Sequence, residues 1–223
     1  MSKYVIITAG GSGTRMNTDI PKQFLKLGRL PVLMHTVNRF YFFDKNINII
    51  ISLPEEFIEH WTRLCREYKF IIKHRIVSGG KTRFHSVKNA LDVISGEGTV
   101  AVHDGVRPLV SSNTIASAFE TAEKKGNAVA CCDIVFSLRK TDENNNFAVN
   151  RDVYKEIQTP QVFNLKGLKR AYESGYKEWF TDDASVFENA GNKIFLVKGN
   201  RENIKITNRE DLIIAEALLN TVF

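Results

Sequence analysis

At 223 residues the chain has room for one α/β domain with a full core, or for one such domain with an appendage. Its 43% hydrophobic and 25% charged content argues against a largely disordered protein, and 31 Lys plus Arg against 25 Asp plus Glu, a net charge of +6, favour anionic ligands. No basic, aromatic-interleaved tract for nucleic acid occurs, no apolar run approaches the ~20 residues of a membrane span, and the glycine loop near the first Met leaves no room for a signal peptide. Cys65, Cys131 and Cys132 lack metal-ligand spacing and read as reduced core thiols, so the expectation is a cytoplasmic protein without nucleic-acid or membrane partners.

Residues 4–7, an apolar run between Lys3 and Thr8, predict a buried parallel strand that leads straight into AGGSGTRMNTDIPKQF at residues 9–24. Gly10, Gly11 and Gly13 lack side chains, so several backbone N–H groups can converge on one anion there. Arg15 and Lys22 add two full charges, and Pro21 fixes the approach to Lys22. A bent triphosphate carries more charge than amide dipoles alone can balance; amides with two cations suit it. From the glycines alone, a plain turn with solvated basic residues is an equal alternative. Spacing excludes two familiar phosphate loops: no Gly-Lys-Ser/Thr closes the segment, and Met16 stands where G-x-G-x-x-G needs its third glycine.

Apolar positions at helical spacing predict a helix over 32–43, in which His35 has no catalytic partner nearby and reads as a surface or satisfied core histidine. Residues 47–53 predict a second buried strand, and Pro54 with Glu55 and Glu56 opens a helix at the end that acids favour. A third strand over 71–77 runs into Gly79 and Gly80, then a helix with Val87, Ala90, Leu91 and Ile94 on its buried face. The fourth strand, 99–103, ends at Asp104, and a carboxylate at the C-terminal end of a parallel strand sits in the crevice where α/β sheets bind ligands. A turn cap paired with Arg107 explains Asp104 equally well.

Ser112 or Asn113 is expected to cap a helix through Ala122, before a strand over 127–134. Residues 135–158 alternate weakly around the polar turn 142–146 and predict a hairpin. Because a lone hairpin is marginal in water, it is expected to be an arm that clasps another subunit. Thr181 is the expected cap of a helix ending at Gly191, followed by a strand over 193–197 and an amphipathic helix over 210–219. By composition Lys205 is one solvated lysine among many.

Taken in order, these stretches resemble the nucleotidyltransferases, and within them the family of cytidylyltransferases that act on 2-C-methyl-D-erythritol 4-phosphate. AGGSGTRM with PKQF carries the first motif, and Gly79, Gly80, Arg83, Ser86, Val87, Ala90 and Leu91 carry GG-x-x-R-x-x-SV-x-x-AL. VHDGVRP, Thr159-Pro160-Gln161, Thr181-Asp182-Asp183-Ala184 and Asn203-Ile204-Lys205-Ile206-Thr207 follow, so the likeness spans residues 7–216. Three positions depart: Gly10 where the family usually has Ala, Val106 at a small-residue position, and Ser137 where Thr is common.

The resemblance implies an α/β, doubly wound, mostly parallel Rossmann-like sheet of the nucleotide-diphospho-sugar transferase type. It implies one domain over 1–223, with 135–158 as an arm that makes a homodimer. Its substrates would be CTP and 2-C-methyl-D-erythritol 4-phosphate, with Mg²⁺ held mainly by triphosphate oxygens and Asp104 as a further ligand. Arg15, Lys22, Arg151 and Lys205 would be catalytic. Ala9, Gly10, Gly11, Gly13, Gly80, Lys81, Ser86 and Asp104 would bind CTP, and Asp104, Arg107, Ser137, Arg151 and Lys205 the second substrate. A phosphate monoester is already a nucleophile at neutral pH, which accords with a chain lacking any Ser-His-Asp or paired-carboxylate set. The alternatives are a ribitol 5-phosphate cytidylyltransferase and a non-catalytic nucleotide-binding regulator.

Overall fold

The structure, a computed structural model, describes residues 1–11 and 20–222, with side chains as far as Leu219. Its centre is a seven-stranded sheet built from β1 (Lys3–Thr8), β4 (Asn48–Leu53), β5 (Arg75–Ser78), β6 (Thr99–Asp104), β7 (Asn127–Asp133), β10 (Lys155–Asn164) and β11 (Leu196–Lys198), in the order β11-β7-β10-β6-β1-β4-β5. β1 pairs parallel with β4 and β6, β4 with β5, and β11 with β7; β10 alone runs antiparallel to both its neighbours. The fold is the mostly parallel α/β sheet expected.

Two-residue periodicity explains why the middle of β1, Val5, Ile6 and Ile7, is apolar and buried on both faces. Val5 and Ile7 point into one core with α1 (Val32–Phe43), α2 (Ile58–Glu67) and α4 (Ser112–Lys125), while Ile6 points into another with α3 (Arg83–Asp92), α5 (Leu165–Tyr172) and α6 (Asp183–Asn189). A third, smaller cluster joins Leu27, Val106, Leu109 and Ile206 to Ala215 of α7 (Arg209–Val222). A short hairpin, β2 (Lys26–Leu27) with β3 (Leu30–Pro31), turns at Gly28 with φ of 59° and contributes Leu27.

Several boundaries differ from the sequence expectations. The ladder to β4 begins at Arg75, opposite Ile50, rather than at residue 71. Before it, His74 turns inward: its Nδ1–H donates to the Ile72 carbonyl at 2.8 Å and its Nε2 accepts from Trp61 Nε1 at 3.0 Å. Ser111, not Ser112 or Asn113, caps α4 by accepting from Thr114 N–H, and Asp182, not Thr181, caps α6 by accepting from Ser185 N–H. The final strand is shifted to Leu196–Lys198.

The largest difference concerns residues 135–158. Only β8 (Leu138–Thr141) and β9 (Asn146–Val149) form the hairpin, closed by Asp142 Oδ1 accepting from Asn144 and Asn145 N–H. From Lys155 the chain belongs to β10, inside the main sheet. Pro160 hides this strand from a sequence reading, because proline demotes a run of residues as a strand. Here the register shifts between Ile157 and Gln161, which accommodates the proline and its cis peptide bond to Thr159.

Candidate active site

The C-terminal ends of β1 and β6 open onto a cavity of about 340 Å³ lined by Ala9, Gly10, Gly11, Lys22, Gly80, Lys81, Ser86, Asp104 and Lys205 among others. Gly13 and Arg15 lie outside the described residues. Lys22 begins a 3-10 turn, Lys22–Phe24, which Gln23 ties to the glycine loop through Nε2 donating to the Ala9 carbonyl at 2.8 Å. The Lys22 stem runs along Gly11, where an added Cβ would stand 3.6 Å from Lys22 Cε. At Gly10 a Cβ would meet, among the described residues, nothing nearer than Ser86 Oγ at 3.9 Å, so those residues leave room for an alanine there.

The second glycine turn is shaped by Ser86. Its hydroxyl donates to the Thr82 carbonyl at 3.0 Å and accepts from Gly80 N–H at 3.1 Å, while Thr82 caps α3. Gly80 is required by packing, since a Cβ on it would fall 2.3 Å from His85 Cβ. The turn therefore brings backbone, with no side chain in the way, to the cavity.

Asp104 is the charged centre. It is 7% exposed, with Oδ1 3.6 Å from Arg83 Nε, and Oδ2 3.3 Å from Arg107 Nε and 3.0 Å from Lys205 Nζ. Burial alone would raise its pKa, but Arg83, Lys205 and Arg107 outweigh that and hold it well below the usual carboxylate range. Arg83 also donates to Asp183 at 2.7 Å; burial opposes its charge, and the Asp183 and Asp104 carboxylates more than restore it, raising its pKa. His103, fully buried one residue earlier, donates from Nε2 to the Arg107 carbonyl at 3.1 Å, and its Nδ1 has no partner among the described residues. Desolvation lowers its pKa to about 4, so it is neutral at pH 7 and braces the turn that presents Asp104.

Lys205 reaches this point because the segment before α7 is pinned by Asn203. Asn203 Nδ2 donates to the Thr159 carbonyl at 2.8 Å, its own carbonyl accepts from Arg107 Nη1 at 2.7 Å, and Ile206 N–H donates to the Val106 carbonyl at 2.9 Å. A second cavity of about 240 Å³, lined by Arg107, Thr159, Gln161, Thr181 and Asp182, shares Arg83, Asp104 and Lys205 with the first. These three side chains are the wall between the two.

Arg151 and Ser137 do not join this wall within the chain. Arg151 donates to the Val135 carbonyl and lines a separate cavity of about 390 Å³ with Asp133, Tyr154 and Arg201, and Ser137 is exposed at the base of the hairpin. A larger cavity, about 1000 Å³, lies at the opposite edge of the sheet, against the N-terminal ends of β1, β4 and β5, and contains no predicted site residue.

Among the described residues no group of three or more His, Cys, Asp or Glu side chains could hold a metal ion. Among the described residues Asp104 is the sole carboxylate lining the first cavity, and both its oxygens face cations. This donor set disfavours Asp104 as a metal ligand and fits a cation carried by a ligand's own oxygens. His35 is satisfied by the Leu27 carbonyl at 2.7 Å, as a bystander histidine should be. Gln23, Asn203, Asp183 and Tyr172 were not singled out from sequence; Gln23, Asn203 and Asp183 lie inside the quoted motifs, which was the available signal.

The description 2-C-methyl-D-erythritol 4-phosphate cytidylyltransferase (IspD) matches residues 3–221. The proteins of that name from Phocaeicola vulgatus and Bacteroides fragilis are 50% and 49% identical over 219 residues, covering 98% of this chain and all of each relative. Among solved structures, the 4-diphosphocytidyl-2C-methyl-D-erythritol synthase of Anaerococcus prevotii is similar at a TM-score of 0.85 with 29% identity, covering 98% of this chain and 96% of that one. The Thermus thermophilus 2-C-methyl-D-erythritol 4-phosphate cytidylyltransferase follows at 0.80 and 29%, covering 99% and 100%. The chain belongs to the 2-C-methyl-D-erythritol 4-phosphate cytidylyltransferase family, enzymes that transfer the cytidylyl group of CTP to that alditol phosphate and release pyrophosphate.

Proposed function

We propose that the 340 Å³ cavity takes CTP and the adjoining 240 Å³ cavity takes 2-C-methyl-D-erythritol 4-phosphate, so that the phosphate oxygen attacks the α-phosphorus across their common wall. The observation that carries this reading is the wall itself: Arg83, Asp104 and Lys205 face both spaces. The backbone at Ala9, Gly10, Gly11 and Gly80, with Lys81 and Ser86, frames the nucleotide. Lys22 and Arg15 balance charge that builds on the α-phosphoryl group and the leaving pyrophosphate. Lys205 exchanges Asp104 for the incoming phosphate, and Arg107 stays with Asp104 so that the carboxylate is not left unpaired. No proton needs to leave the nucleophile, so positioning and charge balance make up the catalysis. When bound, Mg²⁺ carried by the nucleotide's own oxygens would offset triphosphate charge.

Arg151 and Ser137 act in the partner's site of a homodimer. The support is the surface they share: Phe136 is 78% and Phe147 57% exposed, with Val153 and Tyr154 also exposed, on an arm whose two strands pair with each other. Three free thiols fit a reducing compartment, the cytoplasm. The test is pyrophosphate release from CTP with purified 2-C-methyl-D-erythritol 4-phosphate and with ribitol 5-phosphate. Turnover confined to the first supports the assignment; turnover confined to ribitol 5-phosphate overturns it, and CTP binding without any turnover leaves a regulator.

A further inference from the structure

Arg83 lines the wall between the two cavities with no chemical role assigned to it above, yet its surroundings are not those of a solvated arginine. Its side chain is 29% exposed and forks between two carboxylates, with Nε 3.6 Å from Asp104 Oδ1 and Nη2 donating to Asp183 Oδ2 at 2.7 Å. Asp183 is fully buried, and its other oxygen accepts from the Tyr172 hydroxyl at 2.7 Å. Tyr172 is 2% exposed and stacks on Phe84 at 4.5 Å between ring centroids. Neither Asp183 nor Tyr172 lines either cavity. A buried carboxylate is costly unless it is paired and hydrogen-bonded, so this one is retained for what it holds.

The division of labour around Asp104 shows what that is. Arg107 and Lys205 both face Oδ2, whereas Arg83 alone among the three faces Oδ1. Without Arg83 the carboxylate is free to turn and offer both oxygens to Lys205, which then binds an incoming phosphate less readily.

We propose that Arg83, clamped from behind by Asp183 and Tyr172, is a positioning residue that fixes the Asp104 carboxylate on the wall between the two cavities and so sets where Lys205 stands. This rests on reading that wall as the reaction locus. Its guanidinium fork is essential, because one ammonium cannot reach both carboxylates in fixed geometry.

The test uses Asp183→Asn, Tyr172→Phe and Arg83→Lys in the full-length protein. Asp183→Asn and Arg83→Lys should raise KM for the alditol phosphate about tenfold, the loss of one charge-assisted hydrogen bond; for Asp183→Asn, whose side chain lines neither cavity, CTP affinity by calorimetry should change less than about twofold. Tyr172→Phe, which keeps the stack on Phe84, should move KM the same way by a smaller factor. A merely structural role predicts instead a lower Tm with kcat, KM and CTP affinity either all impaired or all unchanged. Folded Asp183→Asn and Arg83→Lys proteins with wild-type KM overturn the proposal. A second measurement is independent of turnover: the Asp104 carboxyl carbon, followed by NMR against pH, should titrate at higher pH in Arg83→Leu than in wild type. An unmoved titration also overturns the coupling. If wild type turns over neither alditol phosphate, the reading of the wall fails while the NMR comparison still decides whether Arg83 governs Asp104.

Discussion

Lowering pH from 7 to 4 should destabilise the protein through His103, and the size of the effect follows from its burial. The imidazole is fully buried between the strand end and Arg107, with Nδ1 unpartnered and its pKa lowered from 6.5 to about 4. In that window the unfolded chain binds a proton that the folded chain refuses, so the unfolded state gains as pH falls and stability drops. With these two values the loss is about 2 kcal/mol by pH 5 and about 3 kcal/mol by pH 4. His35 and His74, also lowered chiefly by burial, act in the same direction, so the wild-type curve alone does not isolate His103. His103→Gln removes the titration and keeps an N–H donor for the Arg107 carbonyl. Urea unfolding of both proteins at pH 7, 6, 5 and 4 should therefore show curves whose difference changes by about 2 kcal/mol between pH 7 and pH 5, the variant falling less. Parallel curves across that range would refute the assignment of a neutral, desolvated imidazole beneath the site. Below about pH 4 a further loss is expected as Asp104, whose folded pKa lies below its unfolded value, takes up its proton first in the unfolded chain.

Lys22→Ala should slow single-turnover chemistry by roughly 10²-fold or more with an unchanged Tm, and a wild-type rate in a folded variant counts against its role in charge balance. CTP should be preferred over UTP by about 10- to 100-fold in kcat/KM, because a slot made to accept the cytosine amine is left with an unmet buried group by UTP; equal turnover removes that assignment from Ala9, Gly10, Gly80, Lys81 and Ser86. Lys22→Ala and Arg151→Ala chains, each inactive alone, should regain activity when reassembled together, since one site of the mixed dimer collects both defects and the other neither. Verified mixed dimers as inactive as their parents place Arg151 outside the partner's site.

What the sequence by itself determined was local. The apolar runs of β1, β4 and β6 read as strands buried on two faces, and Gly79-Gly80 before Arg83 read as a turn opening a helix. The ordered motifs selected the family, and Ala9, Gly10, Gly11, Lys22, Gly80, Lys81, Ser86, Asp104 and Lys205 do meet at one cavity. Chain order could not decide which groups would be paired there. Arg83 and Asp183 lie 100 positions apart, and Asn203 and Gln158 lie 45 apart. Their contacts exist because β10 inserts in reverse between β6 and β7, a strand that Pro160 concealed. The same insertion shortened the arm, since residues from Lys155 onward find ladder partners in β7 that a hairpin reading does not supply. Asp104 shows the limit most clearly. As a residue at a strand end it reads equally as a cap or a ligand, and only the tertiary packing that surrounds it with Arg83, Arg107 and Lys205 makes it a buried charge with three partners.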